Sequence, residues 1–327
     1  MSMKVKLWGI RGSLPSPHSP LVIEERIRSA LVGFFARGLT QQHEIDSYIA
    51  SLSPKENGGY GGNTACVEIS NKQGSLIIDG GSGIRPLGES FVRSPGVQKT
   101  KEVDIFFTHF HWDHLIGLPF FIPMFVPGFT VNLYAVQPDL ESRIRALFQK
   151  PYFPVPFEEL RAQIKFHRLS PRKTISVKGF AITPYELDHP DPCWGYRIES
   201  EGKSYAHCVD TECTRVSVAD LGPDLPLYQN ADLVLFDAQY TLLEAVEKMN
   251  WGHSAAPIGL DIALRENVKQ ILFAHHDPGA SDEKVADAER QTQEYLDAYR
   301  ENAVAAGRSV PEIVWGFARE GQIIELI

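Results

Sequence analysis

The chain is short of cysteine, of long apolar runs and of positive charge, and each shortage excludes something. Its four cysteines, Cys66, Cys193, Cys208 and Cys213, are scattered over 327 residues with no CxxC spacing. That speaks against a zinc knuckle and against a disulfide framework, and makes reduced thiols the expectation. No segment approaches the roughly 18 unbroken apolar residues of a membrane span, and "MSMKVKLWGIRGS" has no long apolar stretch behind its lysines. A soluble cytoplasmic protein, neither exported nor tied to a membrane, is therefore expected. With 32 Lys and Arg against 41 Asp and Glu, the formal net charge is −9. Nonspecific binding to nucleic acid needs clustered cations to displace counterions, so this balance disfavours it.

What is present begins with 43% hydrophobic residues, enough for a large core. Short β-type runs fill the first two thirds: "KVKLWGI", "ACVEIS", "SLIIDG", "VDIFFTH", "TVNLYAV", "TISVKGFAITPYEL" and "GYRIESEGKSYAHCVD", the last with a hairpin turn at "EGK". Strand and helix then alternate: "ADLVLFDA", a helix near "TLLEAVEKM", another after "GHSAAPIGLDIALREN", the strand "VKQILFAHH" and a long polar helix from about Ser281 to Ala306. The end, "EIVWGFAREGQIIELI", reads as a hairpin around Glu320 and Gly321. Two face-to-face sheets with helices outside, an α/β architecture formed by one domain over residues 1–327, account for this order.

About 45 residues between "WGIRGS" and "YGGNTACVEI" stand apart, an insertion at about 15–58. Ile23, Ile27, Leu31 and Phe34 fall at helical spacing after Ser19-Pro20, with Gly38 as a stop. Packing against the body is the first expectation for this amphipathic helix, a lid or a homodimer contact the others.

The chemistry is concentrated in "FFTHFHWDHLIG", which sets His109, His111, Asp113 and His114 within six residues at the exit of an apolar strand. Two apart on an extended exit, His109 and His111 project to one side, and Asp113 and His114 open the next turn. Imidazole and carboxylate together suit zinc, manganese or iron, and this many donors suggest two ions. His189, His253, His275 and His276 also stand at strand exits or loops. His18, His43, His167 and His207 have no such setting and are read as structural. Two close cations need a carboxylate between them; Asp210, after "YAHCV", is the first candidate, with Asp237 in "LVLFDAQY" as its competitor. The proline-rich aromatic stretches "LPFFIPMFVPGF" and "PYFPVPFEEL" are read as packing first and pocket walls second.

H-x-H-x-D-H followed by separate His, Asp and His at these intervals resembles the metallo-β-lactamase superfamily, and the likeness runs from "KLWGIRGS" to "LFAHHDP". "LDHPDPCWGYRI", "CVDT", "LVLFDAQYT", "GHSAAPIGLDIA" and "ILFAHHDP" are similar to blocks of its ribonuclease Z and phosphodiesterase branch. The resemblance implies a four-layer αββα sandwich with one ion held by His109, His111 and His189, a second by Asp113, His114 and His275, and Asp210 bridging. It prefers His275 to His276 as ligand, and makes His253 the acid that protonates the leaving oxygen, with Asp113 orienting the nucleophile. The nucleophile it implies is a hydroxide between two divalent ions, zinc first and manganese or iron otherwise. Amides near Gly81 and Ser82, with Asn63, Arg11 and His276, are the candidate substrate contacts.

The reaction expected is hydrolysis of a small phosphodiester, with a cyclic nucleotide in view. The alternatives are ribonuclease Z-like cleavage of precursor transfer RNA and hydrolysis of a lactone or ester. A ribonuclease Z typically carries a protruding glycine-rich basic arm, whereas the long connections here are aromatic and proline-rich, or a helix of mixed charge.

Overall fold

The computed structural model describes residues 3–94, 97, 100–212 and 214–327; Cys213 lies outside them, while Cys66, Cys193 and Cys208 are buried free thiols. The strands in chain order are β1 (Met3–Gly9), β2 (Cys66–Asn71), β3 (Gly74–Ile78), β4 (Glu102–Phe106), β5 (Thr130–Ala135), β6 (Gln163–Arg168), β7 (Ile175–Val177), β8 (Phe180–Leu187), β9 (Cys193–Ser200), β10 (Lys203–Cys208), β11 (Leu233–Asp237), β12 (Gln270–Ala274), β13 (Val314–Phe317) and β14 (Ile323–Leu326). They form two seven-stranded sheets, ordered β14-β1-β2-β3-β4-β5-β6 and β13-β12-β11-β10-β9-β8-β7.

The two-residue period of these strands builds the layers. In β3, Leu76 and Ile78 join the core between the sheets, while Ile77 faces outward into a second core with Val103 and Ile105 of β4. That outer core is roofed by Ile84, Leu87 and Phe91 of the helix Ile84–Arg93 and by Leu140 and Ile144 of the helix Leu140–Leu147. On the other sheet, the helix Ala256–Arg265 with Leu260 covers β11 and β12, and the helix Asp282–Ala305 with Leu296 packs against that helix and β13. The result is the αββα sandwich expected from the sequence. No helix among the described residues is long and apolar enough to cross a membrane.

Two expectations change. The C-terminal "hairpin" is not one: β13 pairs in parallel with β12, and β14 pairs antiparallel with β1 in the other sheet. The turn at Glu320 and Gly321 crosses from sheet to sheet, pinned where Gly321 N donates to Leu7 O at 2.7 Å and Glu320 N to Tyr60 O at 2.8 Å. Alternation within each strand could not reveal which partner each would take. The inserted helix does form, over Pro20–Ala36, with Ser19 Oγ accepting from Val22 N as its N-cap. It buries none of its residues, however, and Ile23, Ile27 and Leu31 are about half exposed. The body does not cover the stripe; Phe34 alone finds an edge-on ring, Tyr48.

Parallel strands β3, β4, β10, β11 and β12 end at one edge of the sandwich. Asp79, His109, Asp210, Asp237 and His275 stand at or just past those ends, and this convergence makes the site.

Candidate metal centre

Past the end of β4 the chain runs through His109 and His111 into the short helix Trp112–Leu115, which carries Asp113 and His114. His109, His111 and His189 offer ring nitrogens that lie within 4.8 Å of one another, and so do donor atoms of Asp113, His114, Asp210 and His275. Asp210 joins the groups: its Oδ1 is 4.0 Å from His109 Nε2 and its Oδ2 is 2.9 Å from His114 Nε2. All seven residues singled out in the sequence as ligands thus come together, as two adjoining sets with Asp210 between.

The donor atoms are held in a way that suits cations. His109 Nε2 and His189 Nε2 are buried without a hydrogen-bond partner, although such atoms normally find one, and the buried His114 Nε2 and Asp210 Oδ2 face each other across 2.9 Å. The far side of all three of these rings is engaged, that of His109 by Thr108 Oγ1 at 3.1 Å from Nδ1. His114 Nδ1 meets Asp79 Oδ2 at 2.8 Å, and His189 Nδ1 meets the Asp191 carbonyl at 3.1 Å. In the neutral ring an oxygen acceptor at Nδ1 favours the proton there and leaves Nε2 bare, the arrangement that metal-binding histidines need. Asp79, Asp113, Asp210 and Asp237 are all at most 5% exposed, and carboxylates packed this closely require positive charge. Two divalent ions fit this donor set.

Protons feel the same field. Burial works against the imidazolium of His114, yet Asp210, Asp113 and Asp79 overcome it and raise its pKa well above the ordinary value. Burial pushes His109 well below, helped by His114, and lowers His189. Asp210 is held far below the usual carboxylate range: burial opposes this, but His275, His114 and His109 prevail. His253 is opposed by burial and lifted to about 9, chiefly by Asp237.

His253 sits at the edge of the cluster, its Nδ1 3.0 Å from Asp237 Oδ2 and 3.8 Å from Asp210 Oδ1. Asp237 is committed elsewhere: Oδ1 accepts from Gln239 N and Ser254 N, and Oδ2 from Asp210 N, with His275 Nδ1 at 3.3 Å. A carboxylate so occupied orients its neighbours, and this favours Asp210 over Asp237 for the place between ions.

The backbone is strained here. Asp79, Asp210 and His275 adopt φ of 62°, 63° and 65°, in the left-handed region that residues with a side chain rarely enter. Strain held at strand exits is characteristic of functional sites. Ser13, at φ 59°, turns its N–H onto Asp113 Oδ2 at 2.8 Å. Gly252, at φ 86°, lies flat against His189: a Cβ there would come within 2.6 Å of its Nε2.

The substrate-contact expectations fare differently. His276 points away: Nε2 bonds Ala318 O at 3.0 Å and the ring stacks on Phe317. Arg11 is 2% exposed and donates to the carbonyls of Gly61, Asp277 and Ala280, with Asp282 at 3.6 Å, so it ties the body together. Asn63 Nδ2 is spent on Glu320 and Asn63 Oδ1 on the Ser82 hydroxyl. The Gly81 and Ser82 amides donate to Ala65 O and Thr64 Oγ1 at 2.9 Å each. The glycine-rich piece is a tight turn, and none of these amides is free for a phosphate. Conversely, Asp79 belongs to the site although the sequence reading does not include it. An acid directly after "SLII" was its signal, as strong as that of Asp237. The Ser13 amide left no signal, because a backbone N–H has no letter of its own.

The sequence matches the family described as β-lactamase superfamily domain over residues 75–276. Ribonuclease Z of Staphylococcus carnosus is 30% identical over 140 residues, which is 41% of this chain and 42% of that protein, so the match spans less than half of the relative. A diphosphatase of the PhnP family is 18% identical with a TM-score of 0.60, covering 99% of this chain and 98% of that one. Human tRNase Z, short form, is 15% identical with a TM-score of 0.59, covering 98% of each. Both structural likenesses speak to the fold.

Proposed function

The chain belongs to the metallo-β-lactamase superfamily as a relative of ribonuclease Z, and from that premise we propose that this metal-dependent hydrolase is a phosphodiesterase acting on a small phosphodiester. The observation that carries the reading is His253, anchored on Asp237 beside two donor sets, one containing Asp210 and the other reaching to 4.0 Å from it at His109. Carbonyl substrates that expel a weakly basic oxygen or sulfur have less use for such an acid.

We assign His109, His111 and His189 to one ion, Asp113, His114 and His275 to the second, and Asp210 to both. Divalent ions held there, zinc or else manganese or iron, would polarise a phosphoryl oxygen and bring the pKa of water near neutrality. The chain's own residues do the rest. Ser13 N–H, on Asp113 Oδ2 at 2.8 Å, holds that carboxylate so that it orients the attacking oxygen. The His253 Nδ1–H bond to Asp237 fixes the ring, so that the proton delivered to the departing alkoxide sits on Nε2.

The long connections favour a small substrate over transfer RNA. Phe121, Met124 and Phe129 before β5, and Leu140, Ile144 and Phe148 after it, are buried against the first sheet. These segments lie down on the body instead of rising as a basic arm. Cleavage of precursor transfer RNA is the second reading, favoured by the name of the staphylococcal relative. Assaying the metal-reconstituted protein side by side on cyclic nucleotides, linear diesters, a lactone and precursor transfer RNA tests the choice. The first reading expects turnover of small diesters with shallow salt dependence. Cleavage of precursor transfer RNA that falls steeply with salt, with cyclic nucleotides and linear diesters ignored, supports the second.

A further inference from the structure

Two cavities of about 650 and 660 Å³ lie away from the metal centre, one under the inserted helix and one lined mainly by glycines near Arg319 and Glu320; none of the assigned ligands lines either. A third, of about 510 Å³, has His109 and His111 themselves in its wall. Its size falls within the roughly 300–1,000 Å³ of small-molecule sites.

The remaining wall combines ring faces with a few polar groups. Phe110, Val136 and Trp194 supply apolar surface, and Arg143, exposed and paired with Asp139 at 2.7 Å, is the cation of the lining. Gln137 makes the pocket rigid. Its Nε2 donates to Thr108 O at 2.9 Å and to Pro192 O at 2.7 Å, which ties the strand exit bearing His109 to the loop bearing His189. Its Oε1 is buried with no donor, an acceptor still to be satisfied. His253 does not line this cavity and lies beyond His189, ring centroids 6.2 Å apart. A group in the cavity therefore meets His109 and His111 and not the acid that serves the leaving oxygen.

Resting on the phosphodiesterase reading, we propose that this cavity is the specificity pocket and takes a flat, nucleobase-sized heteroaromatic ring on the arm of the ester that keeps the phosphate. Phe110, only partly buried, provides the stacking face, and Arg143 reaches the polar edge of the ring at the mouth. The hydrolytic product is then a nucleoside monophosphate held by ring and phosphate together.

The test is calorimetric binding to the metal-reconstituted protein of three probes: adenosine 5′-monophosphate, ribose 5-phosphate and inorganic phosphate. The nucleotide should bind more tightly than ribose 5-phosphate by roughly 5- to 150-fold, the range that stacking of one base supports. Phe110→Tyr should keep that ratio within about threefold, and Phe110→Ala, checked for unchanged metal content, should reduce it to near unity. Arg143→Ala, at an exposed position, should weaken the nucleotide more than ribose 5-phosphate. If all three probes bind but the base adds nothing in the unsubstituted protein, the pocket assignment is wrong and the phosphodiesterase reading stands. If no probe binds, the phosphodiesterase reading itself falls, and the pocket with it.

Discussion

Replacing Asp237 by asparagine removes the anchor of His253 while preserving the shape of the side chain. In Asp237→Asn the amide oxygen keeps the donors now on Oδ1, Gln239 N at 3.1 Å and Ser254 N at 3.0 Å. The NH2 group is then turned toward three donors: Asp210 N at 3.1 Å, His253 Nδ1 at 3.0 Å and His275 Nδ1 at 3.3 Å. The His253 bond is the shortest of these, and losing a charge-assisted bond of this kind costs about 1.5–3 kcal/mol, which is roughly 10- to 150-fold in a rate constant. An orphaned Asp210 N–H subtracts about 1–3 kcal/mol of stability, less than the ~5–15 kcal/mol of a folded domain, so the variant remains folded. The assay is kcat on two diesters that differ in their leaving group, 4-nitrophenolate and methoxide. Only the strongly basic methoxide needs a proton as it departs, so the loss should concentrate there and nearly vanish for the aryl ester. Equal losses on both, or none on the methyl ester, would refute the assignment of His253 as the acid.

Four further outcomes follow from the same geometry. Asp210→Asn should lower the metal content measured by native mass spectrometry, because the groups lose the carboxylate they share; retention of both ions removes the bridge. Gly252→Ala should displace His189, since the new Cβ would lie within 2.6 Å of Nε2 at a φ of 86°. It should weaken ion binding by about 10- to 100-fold and lower the melting temperature, and normal binding would show that His189 is not a ligand. Chelation should abolish turnover and reduce thermal stability, as the buried carboxylates lose their counter-charge. Metal affinity should fall as pH drops, beginning above the ordinary histidine range, where His114 takes up its proton, because protons compete for imidazoles that must be neutral to bind; a flat profile from pH 5 to 8 would argue against a histidine-rich site.

Much of this was legible in the sequence, for identifiable reasons. His109, His111, Asp113 and His114 could be read because local spacing alone brings them together. His189, Asp210 and His275 could be ranked because each follows an apolar run, and parallel strands deliver such ends to one edge. What stayed hidden depends on pairing across the chain. The strand at Ile323–Leu326 joins β1, more than 300 residues away in sequence, and its alternation is the same whichever partner it takes. The turn containing Gly81 and Ser82 looks like a phosphate cradle until Ala65 and Thr64 are seen to consume its amides. Arg11 at a strand exit looks available until three carbonyls claim it. The exposed stripe of Pro20–Ala36 has helical periodicity, and periodicity marks an apolar face without saying what covers it.

The most direct test of the central claim is a titration of divalent ion into metal-free protein, following binding and hydrolysis of an alkyl aryl phosphodiester together. The account predicts that activity rises with the second equivalent of ion per chain and is lost in a variant lacking Asp210. A protein that takes up two ions, turns over a lactone or thioester and leaves every phosphodiester intact would contradict it.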